Sequence, residues 1–261
     1  MTRAPGTPVL SVRGVSRNYG AVRALVDVDL DIHAHEVVAI VGDIGAGKST
    51  LARVMSGALA PDSGHIEVGG VPVTMPSTRA ARELGIAAVF QDLALAENLD
   101  VVQNLFLGQE LRRAGILDER RMERRAWEVL SQLAARVPSV RAPVRALSGG
   151  QRQAVAVART LVGNPRVVVL DEPLASLGIS QTAEVLNMVE RLRESGLGVV
   201  MISHSMVDVQ AVADRIVVLR LGRINGDFDA EHASYEDLIA AITGITPTGR
   251  AARPTTRPAT L

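Results

Sequence analysis

The residues best suited to chemistry form one short run, Gly42-Asp43-Ile44-Gly45-Ala46-Gly47-Lys48-Ser49-Thr50, with the spacing G-x-x-x-x-G-K-[ST]. In such a loop the glycines let successive backbone N–H groups turn inward around phosphate oxygens, and the helix that follows lends its positive end. Lys48 would reach the β- and γ-phosphates, and the Ser49 hydroxyl suits Mg²⁺. The bland alternative is a glycine-rich turn with a surface lysine. Against it, Lys48 is the only lysine among the chain's 28 basic residues. A compact ammonium on a flexible stem is not replaced by the rigid planar fork of arginine, so the loop reads as a place where lysine was kept.

Two further clusters carry polar groups in telling places. Val167-Val168-Val169-Leu170 is followed by Asp171-Glu172, two carboxylates at the end of a strand, where open α/β sheets place their ligands. Asp171 would hold Mg²⁺ directly or through water, and Glu172 would polarise an attacking water as general base. Taken alone, an acidic pair there is also a common helix cap. Leu147-Ser148-Gly149-Gly150-Gln151-Arg152-Gln153 precedes the helical stretch Ala154 to Leu161. Ser148 and its glycines thus open a second helix N-terminus suited to anions, or form a plain serine cap.

These groups need a scaffold, and hydrophobic patterning supplies one. Val37 to Val41, Val167 to Leu170, Val199 to Ile202 and Ile216 to Leu219 read as buried strands of a largely parallel sheet. The phosphate loop lies between the first of them and the helix-like Leu51 to Leu59. Met122, Ala126, Leu130 and Leu133 recur at helical spacing behind a possible cap at Asp118, as do Val185, Val189 and Leu192 further on. Alternation of this kind predicts an α/β fold. From about Leu93 to Thr160 no strand is evident, and a helical subdomain inserted in the core is expected there. Thr246 to Leu261 lacks apolar periodicity and reads as a disordered tail.

Composition narrows the partners. With 28 basic and 28 acidic residues, no net field draws in nucleic acid. The chain has no cysteine, which rules out disulfides and thiolate metal sites. No stretch is long and apolar enough to cross a bilayer, and Met1 to Pro8 lacks the apolar core of a signal peptide, so the chain is expected to stay where it is made. His33, His35, His65 and His232 show no metal-ligand spacing and are expected on the solvated surface.

Leu-Ser-Gly-Gly-Gln, placed between the phosphate loop and the carboxylate strand, resembles the signature of the ATP-binding cassette (ABC) family, and the likeness extends over roughly Val9 to Thr243. The resemblance implies a P-loop NTPase core with a small antiparallel β region near the N-terminus. Core would occupy 9–92 and 161–245, with the helical signature subdomain at 93–160. It implies a head-to-tail dimer in which Ser148, Gly149, Gly150 and Gln151 of one cassette close on the γ-phosphate held by Lys48 of the other. Gln91 matches a glutamine that contacts Mg²⁺ and the attacking water, His204 a switch histidine at the γ-phosphate, and Tyr19 an aromatic that stacks on adenine. Two departures stand out: Leu174 follows Pro173 where many cassettes carry Thr, and Gly178 ends the next loop where many carry Asp.

Gly42-Asp43, Pro61-Asp62-Ser63-Gly64, Ala175-Ser176-Leu177-Gly178 and Ser203-His204-Ser205-Met206 look like cassettes of bacterial monosaccharide importers related to ribose uptake, although Ile44 stands where those usually show Asn. That likeness implies an ATPase at the cytoplasmic face of the membrane, paired with a second cassette and a permease and served by a solute-binding protein. Other readings are a cassette for another small solute, a soluble cassette acting on ribosomes or DNA, and a regulatory module that binds ATP without hydrolysing it. Intact Glu172 and His204 argue against the last.

Overall fold

The computed structural model describes residues 6–245; the tail expected at 246–261 lies outside them. The chain opens with a long antiparallel hairpin, β1 (Leu10–Tyr19) and β2 (Val22–Ile32), then enters β3 (Glu36–Val41), the phosphate loop and α1 (Lys48–Met55). This helix is shorter than the apolar run to Leu59 predicts, because Ser56 caps it through a hydroxyl bond to the Arg53 carbonyl at 3.1 Å. A hairpin of β4 (Ser63–Val68) and β5 (Val71–Val73) follows, then α2 (Thr78–Glu83) and β6 (Ile86–Val89).

Between β6 and the next core strand run α3 (Val101–Phe106), β7 (Arg112–Arg113), β8 (Ile116–Leu117), α4 (Glu119–Gln132), a 3₁₀ turn at Val144–Ala146 and α5 (Gly149–Leu161). The stretch is mainly helical, and the small β7–β8 hairpin is the exception to the strand-free expectation. Two-residue strands are too short to show an alternation. The chain finishes with β9 (Val167–Asp171), α6 (Ile179–Glu194), β10 (Gly198–Ile202), α7 (Met206–Val212), β11 (Arg215–Arg220), β12 (Arg223–Asp229) and α8 (Tyr235–Thr243).

Two sheets result. One is antiparallel, in the order β2-β1-β4-β5; the other has six strands in the order β12-β11-β3-β10-β9-β6, parallel except for the β11–β12 pair. Every residue of β9 and β10 is buried, as expected for parallel strands covered on both faces. Successive side chains point to opposite faces, so β3 sends Val37, Ala39 and Val41 into a core shared with α3 to α6, and Val38 and Ile40 into one shared with α1 and the antiparallel sheet. Truncating an aliphatic side chain in either layer to Ala costs about 2–5 kcal/mol.

The helical stretch is fastened by polar groups. Asp100 accepts from the Gln103 N–H at 2.7 Å and caps α3. The fully buried Asn104 amide donates to the carbonyls of Ala96, Leu99 and Asp100 and accepts from the Ala96 N–H, so its burial leaves nothing unpaired. Asp118 does cap α4, accepting from the Arg121 N–H at 3.1 Å.

Candidate active site

Strands β3, β10 and β9 are neighbours and parallel, so the loops that follow them emerge side by side at one edge of the sheet. That edge gathers the phosphate loop, the Ser203-His204 segment and the Asp171-Glu172 pair. Within the loop, Gly47 has φ 108° and a Cβ there would collide with the Ala24 carbonyl; at Gly42 it would collide with the Leu219 carbonyl. Only glycine lets the backbone run this close to β2 and β11. Ala46 is buried beneath, and its carbonyl accepts from the Gly222 N–H at 3.0 Å. Gly45 and Asp43 face solvent, with the Asp43 carboxylate accepting from the Ile44 N–H at 2.7 Å.

No side chain caps α1, which starts at Lys48, so its first N–H groups and their positive field face the loop. The Lys48 ammonium donates to the Gly42 and Asp43 carbonyls at 2.8 and 3.0 Å. Thr50 is half-buried one residue after Ser49. A glycine cradle, a helix start and a held ammonium together fit a polyphosphate.

Next to it, the Ser49 hydroxyl donates to the Asp171 carboxylate at 3.3 Å. Burial pushes the Asp171 carboxyl above the usual carboxylate range; the Ser49 bond opposes the shift, nearby Glu172 adds to it, and Arg53 and Lys48 reduce it. Gln91, just after β6, joins Ser49, Arg53, Phe90, Asp92 and Asp171 around a cavity of about 740 Å³. Hydroxyl, carboxylate and amide oxygens are the hard donors that suit Mg²⁺.

Glu172 has φ 53°, a left-handed backbone uncommon for a residue with a side chain and typical of functional positions. Its N–H donates to the Ile202 carbonyl at 3.0 Å, which ties it to the neighbouring strand. Its carboxylate lies 2.8 Å from Nδ1 of His204, whose ring is otherwise exposed. A buried acid of the kind that suits a metal ion and a strained, oriented carboxylate thus stand beside a phosphate cradle.

The other predicted residues stand apart. Ser148 caps α5, accepting from the Gln151 N–H at 3.3 Å, while the Gln151 carboxamide accepts from the Ser148 N–H at 3.0 Å and donates to the Arg136 carbonyl at 3.1 Å. Gly149 and Gly150 pack on the start of α6, where an added Cβ would sit 3.3 Å from Leu177 and from Gln181 respectively. Among the described residues, no hydrogen bond joins this group to Lys48. Tyr19, at the end of β1, is partly exposed, with the Arg17 guanidinium 5.5 Å from its ring centre.

Sequence reasoning passed over two arginines. Arg53 follows Ser49 by one helical turn on α1 and borders the same cavity; its i, i+4 spacing was a usable signal. Arg159, on α5, donates to the Leu93 and Ala94 carbonyls at 2.7 and 2.8 Å and so ties that helix to the segment after Gln91. Nothing in the local sequence marks it. His33 is half-buried and lies 3.2 Å from Glu36, not on the open surface as expected. His232 groups with Asp229 and Glu231, but there the Asp229 carboxylate is engaged by the Glu231 N–H and the His232 ring.

Sheet order, phosphate cradle and acidic pair together define a nucleoside-triphosphate-hydrolysing cassette. The fold matches that of the ATP-binding cassette MJ0796, solved as a dimer in a post-hydrolysis state bound to ADP and phosphate, with a TM-score of 0.72 and 25% identity over 85% of this chain and 98% of that one. Residues 25–175 match the family described as ABC transporter. The fructose import ATP-binding protein of Rhizobium meliloti is 41% identical over 245 residues, covering 91% of this chain and 94% of its own. A ribose import ATP-binding protein of Rubrobacter xylanophilus is 40% identical over 237 residues, and the match spans 47% of its length. This chain belongs to the ABC transporter family, as its ATP-binding, ATP-hydrolysing cassette. Among the described residues no helix is long and apolar enough to cross a membrane.

Proposed function

We propose that the cassette powers import of a monosaccharide through a partner permease at the cytoplasmic face of a bacterial membrane, working in pairs and supplied by a solute-binding protein. Similarity to fructose and ribose import proteins supports the direction and the solute class. The paired arrangement draws on the dimeric MJ0796 cassette and on Ser148 and Gln151, which share no hydrogen bond with the phosphate loop of their own chain.

One observation carries the catalytic reading: Ser49–Asp171 and Glu172–His204 contacts lie side by side at the edge that holds the phosphate loop. In this reading Lys48 and the loop N–H groups from Gly42 to Thr50 bind the phosphates, and Tyr19 stacks on adenine. Ser49, Asp171 and Gln91 would hold Mg²⁺, which when bound offsets charge between the β- and γ-phosphates. Glu172 takes the proton of the attacking water. As imidazolium, His204 donates Nδ1–H to Glu172, which fixes the carboxylate's direction, and has Nε2–H to donate to the γ-phosphate. Ser148, Gly149, Gly150 and Gln151 of the second cassette complete the site. Nucleic acid has no place in the scheme.

Glu172→Gln tests it: ATP turnover should fall about 10²–10⁴-fold while ATP binding persists and an ATP-held dimer accumulates in analytical ultracentrifugation. Wild-type turnover would refute the role of Glu172. For the solute, the same change in the chromosome should abolish uptake of one radiolabelled monosaccharide from a panel; unchanged uptake of every sugar would remove the importer assignment.

A further inference from the structure

Between α3 and α4 the chain turns at Ala114-Gly115, with φ 52° and 83°, and folds back as the β7–β8 hairpin. Positive φ at both turn residues is the tight form that matches the twist of paired strands. The returning strand carries its apolar residues into solvent: Ile116 is 75% and Leu117 49% exposed. The register pairs Arg113 with Ile116 and Arg112 with Leu117, and residues paired across an antiparallel ladder share a face. Each aliphatic side chain thus has an arginine beside it.

The Asp118 N–H closes the foot of the hairpin on the Leu111 carbonyl at 2.8 Å, and Asp118 then caps α4. That helix buries Met122, Ala126, Val129 and Leu130. At helical spacing its opposite face bears Arg120, Arg121, Arg124 and Trp127, all exposed, so an arginine-rich helix face adjoins the hairpin. Nearby acids are already engaged. Glu119 and Glu123 bond to Arg141 at 3.2 and 3.1 Å, Glu128 lies 3.2 Å from Arg125, and Glu110 accepts from the Gly108 N–H at 3.0 Å. Among the described residues no ion pair holds Arg112, Arg113, Arg120, Arg121 or Arg124.

Exposed aliphatics, free arginines and a tryptophan make up the composition that suits a lipid surface. Apolar side chains enter the acyl boundary, tryptophan rests at headgroup level, and each cation near an anionic surface strengthens binding about fivefold. A second copy would instead bring five more like charges, and nucleic acid would neutralise the arginines but leave the aliphatic pair uncovered. We propose that the β7–β8 hairpin and the outer face of α4 form a contact surface for anionic phospholipid headgroups, which holds the helical stretch against the membrane without help from a permease. The proposal goes beyond the importer reading and does not depend on it.

Trp127 is the chain's one tryptophan, so the full-length wild-type protein reports on its own contact. With vesicles of equal parts phosphatidylcholine and phosphatidylglycerol, its emission should move to shorter wavelength and be quenched when the acyl chains are brominated. Vesicles of phosphatidylcholine alone should leave it unchanged. In co-sedimentation with the anionic vesicles, Arg120→Gln combined with Arg124→Gln should weaken binding about 25-fold and Ile116→Asp about tenfold or more, each with wild-type ATP turnover. Anionic vesicles that neither bind the wild-type chain nor shift Trp127 overturn the proposal, whatever the variants do. Vesicle binding that both variants retain at full strength also overturns it, because the lipid contact then lies elsewhere. Binding of a duplex oligonucleotide in place of the vesicles would make this a nucleic-acid surface and overturn it as well.

Discussion

The helix starts at α1 and α5 are built on opposite plans. At α1 no side chain caps the helix, and Lys48, Ser49 and Asp171 converge on the space in front of it. At α5 the cap is complete: Ser148 and Gln151 satisfy each other, and Gln151 is also tied to Arg136. One start is arranged for a ligand at a cost in its own stability. The other is complete by itself, which suits the proposed role of a rigid surface closing on a phosphate held by a second cassette.

The contrast is sharpest at Asp171. Burial raises its pKa, so the folded chain holds that proton more tightly than the unfolded chain. Stability therefore falls as pH rises from the ordinary carboxylate value through the raised one, and the deficit persists at neutral pH. Asp171→Asn should abolish Mg²⁺-dependent turnover, yet raise the nucleotide-free unfolding midpoint by about 2–4 °C and flatten that pH slope. A variant that is both inactive and less stable would show that the carboxylate supports the fold.

Ser148→Ala addresses the other helix start. Losing the cap should cost about 1 kcal/mol in urea unfolding. If the hydroxyl also meets a partner's γ-phosphate, turnover should drop about 10–100-fold under conditions where the variant stays folded. A stability loss with unchanged turnover would reduce Ser148 to a cap. The smallest effect is expected at Tyr19: Tyr19→Ala should weaken ATP binding about tenfold by fluorescence titration, while Tyr19→Phe keeps it, since stacking of aromatic faces contributes about 1 kcal/mol. Equal losses in both variants would point to the hydroxyl and away from the ring.

Much of this was legible in the sequence because it depends on local order. Runs such as Val167 to Leu170 announce buried strands, and the phosphate loop carries its mechanism in nine residues. The contact between Glu172 and His204 was not legible, because it depends on β9 lying beside β10 and on a left-handed backbone at Glu172. Edge strand β12 was missed as well: its Arg-Ile-Asn-Gly-Asp-Phe-Asp run mixes charge and glycine, and its register is set by β11. Arg159 met the same limit, since its carbonyl partners are 65 and 66 residues away.

The Lys48 ammonium, folded onto the Gly42 and Asp43 carbonyls, is also the chain's only side-chain primary amine. Any amine-directed chemistry, whether acyl transfer in the cell or a labelling reagent at the bench, must therefore reach the catalytic loop or find no side chain to modify. Bound nucleotide would shield that one amine, which turns its acylation rate into a direct measure of how often the site is filled.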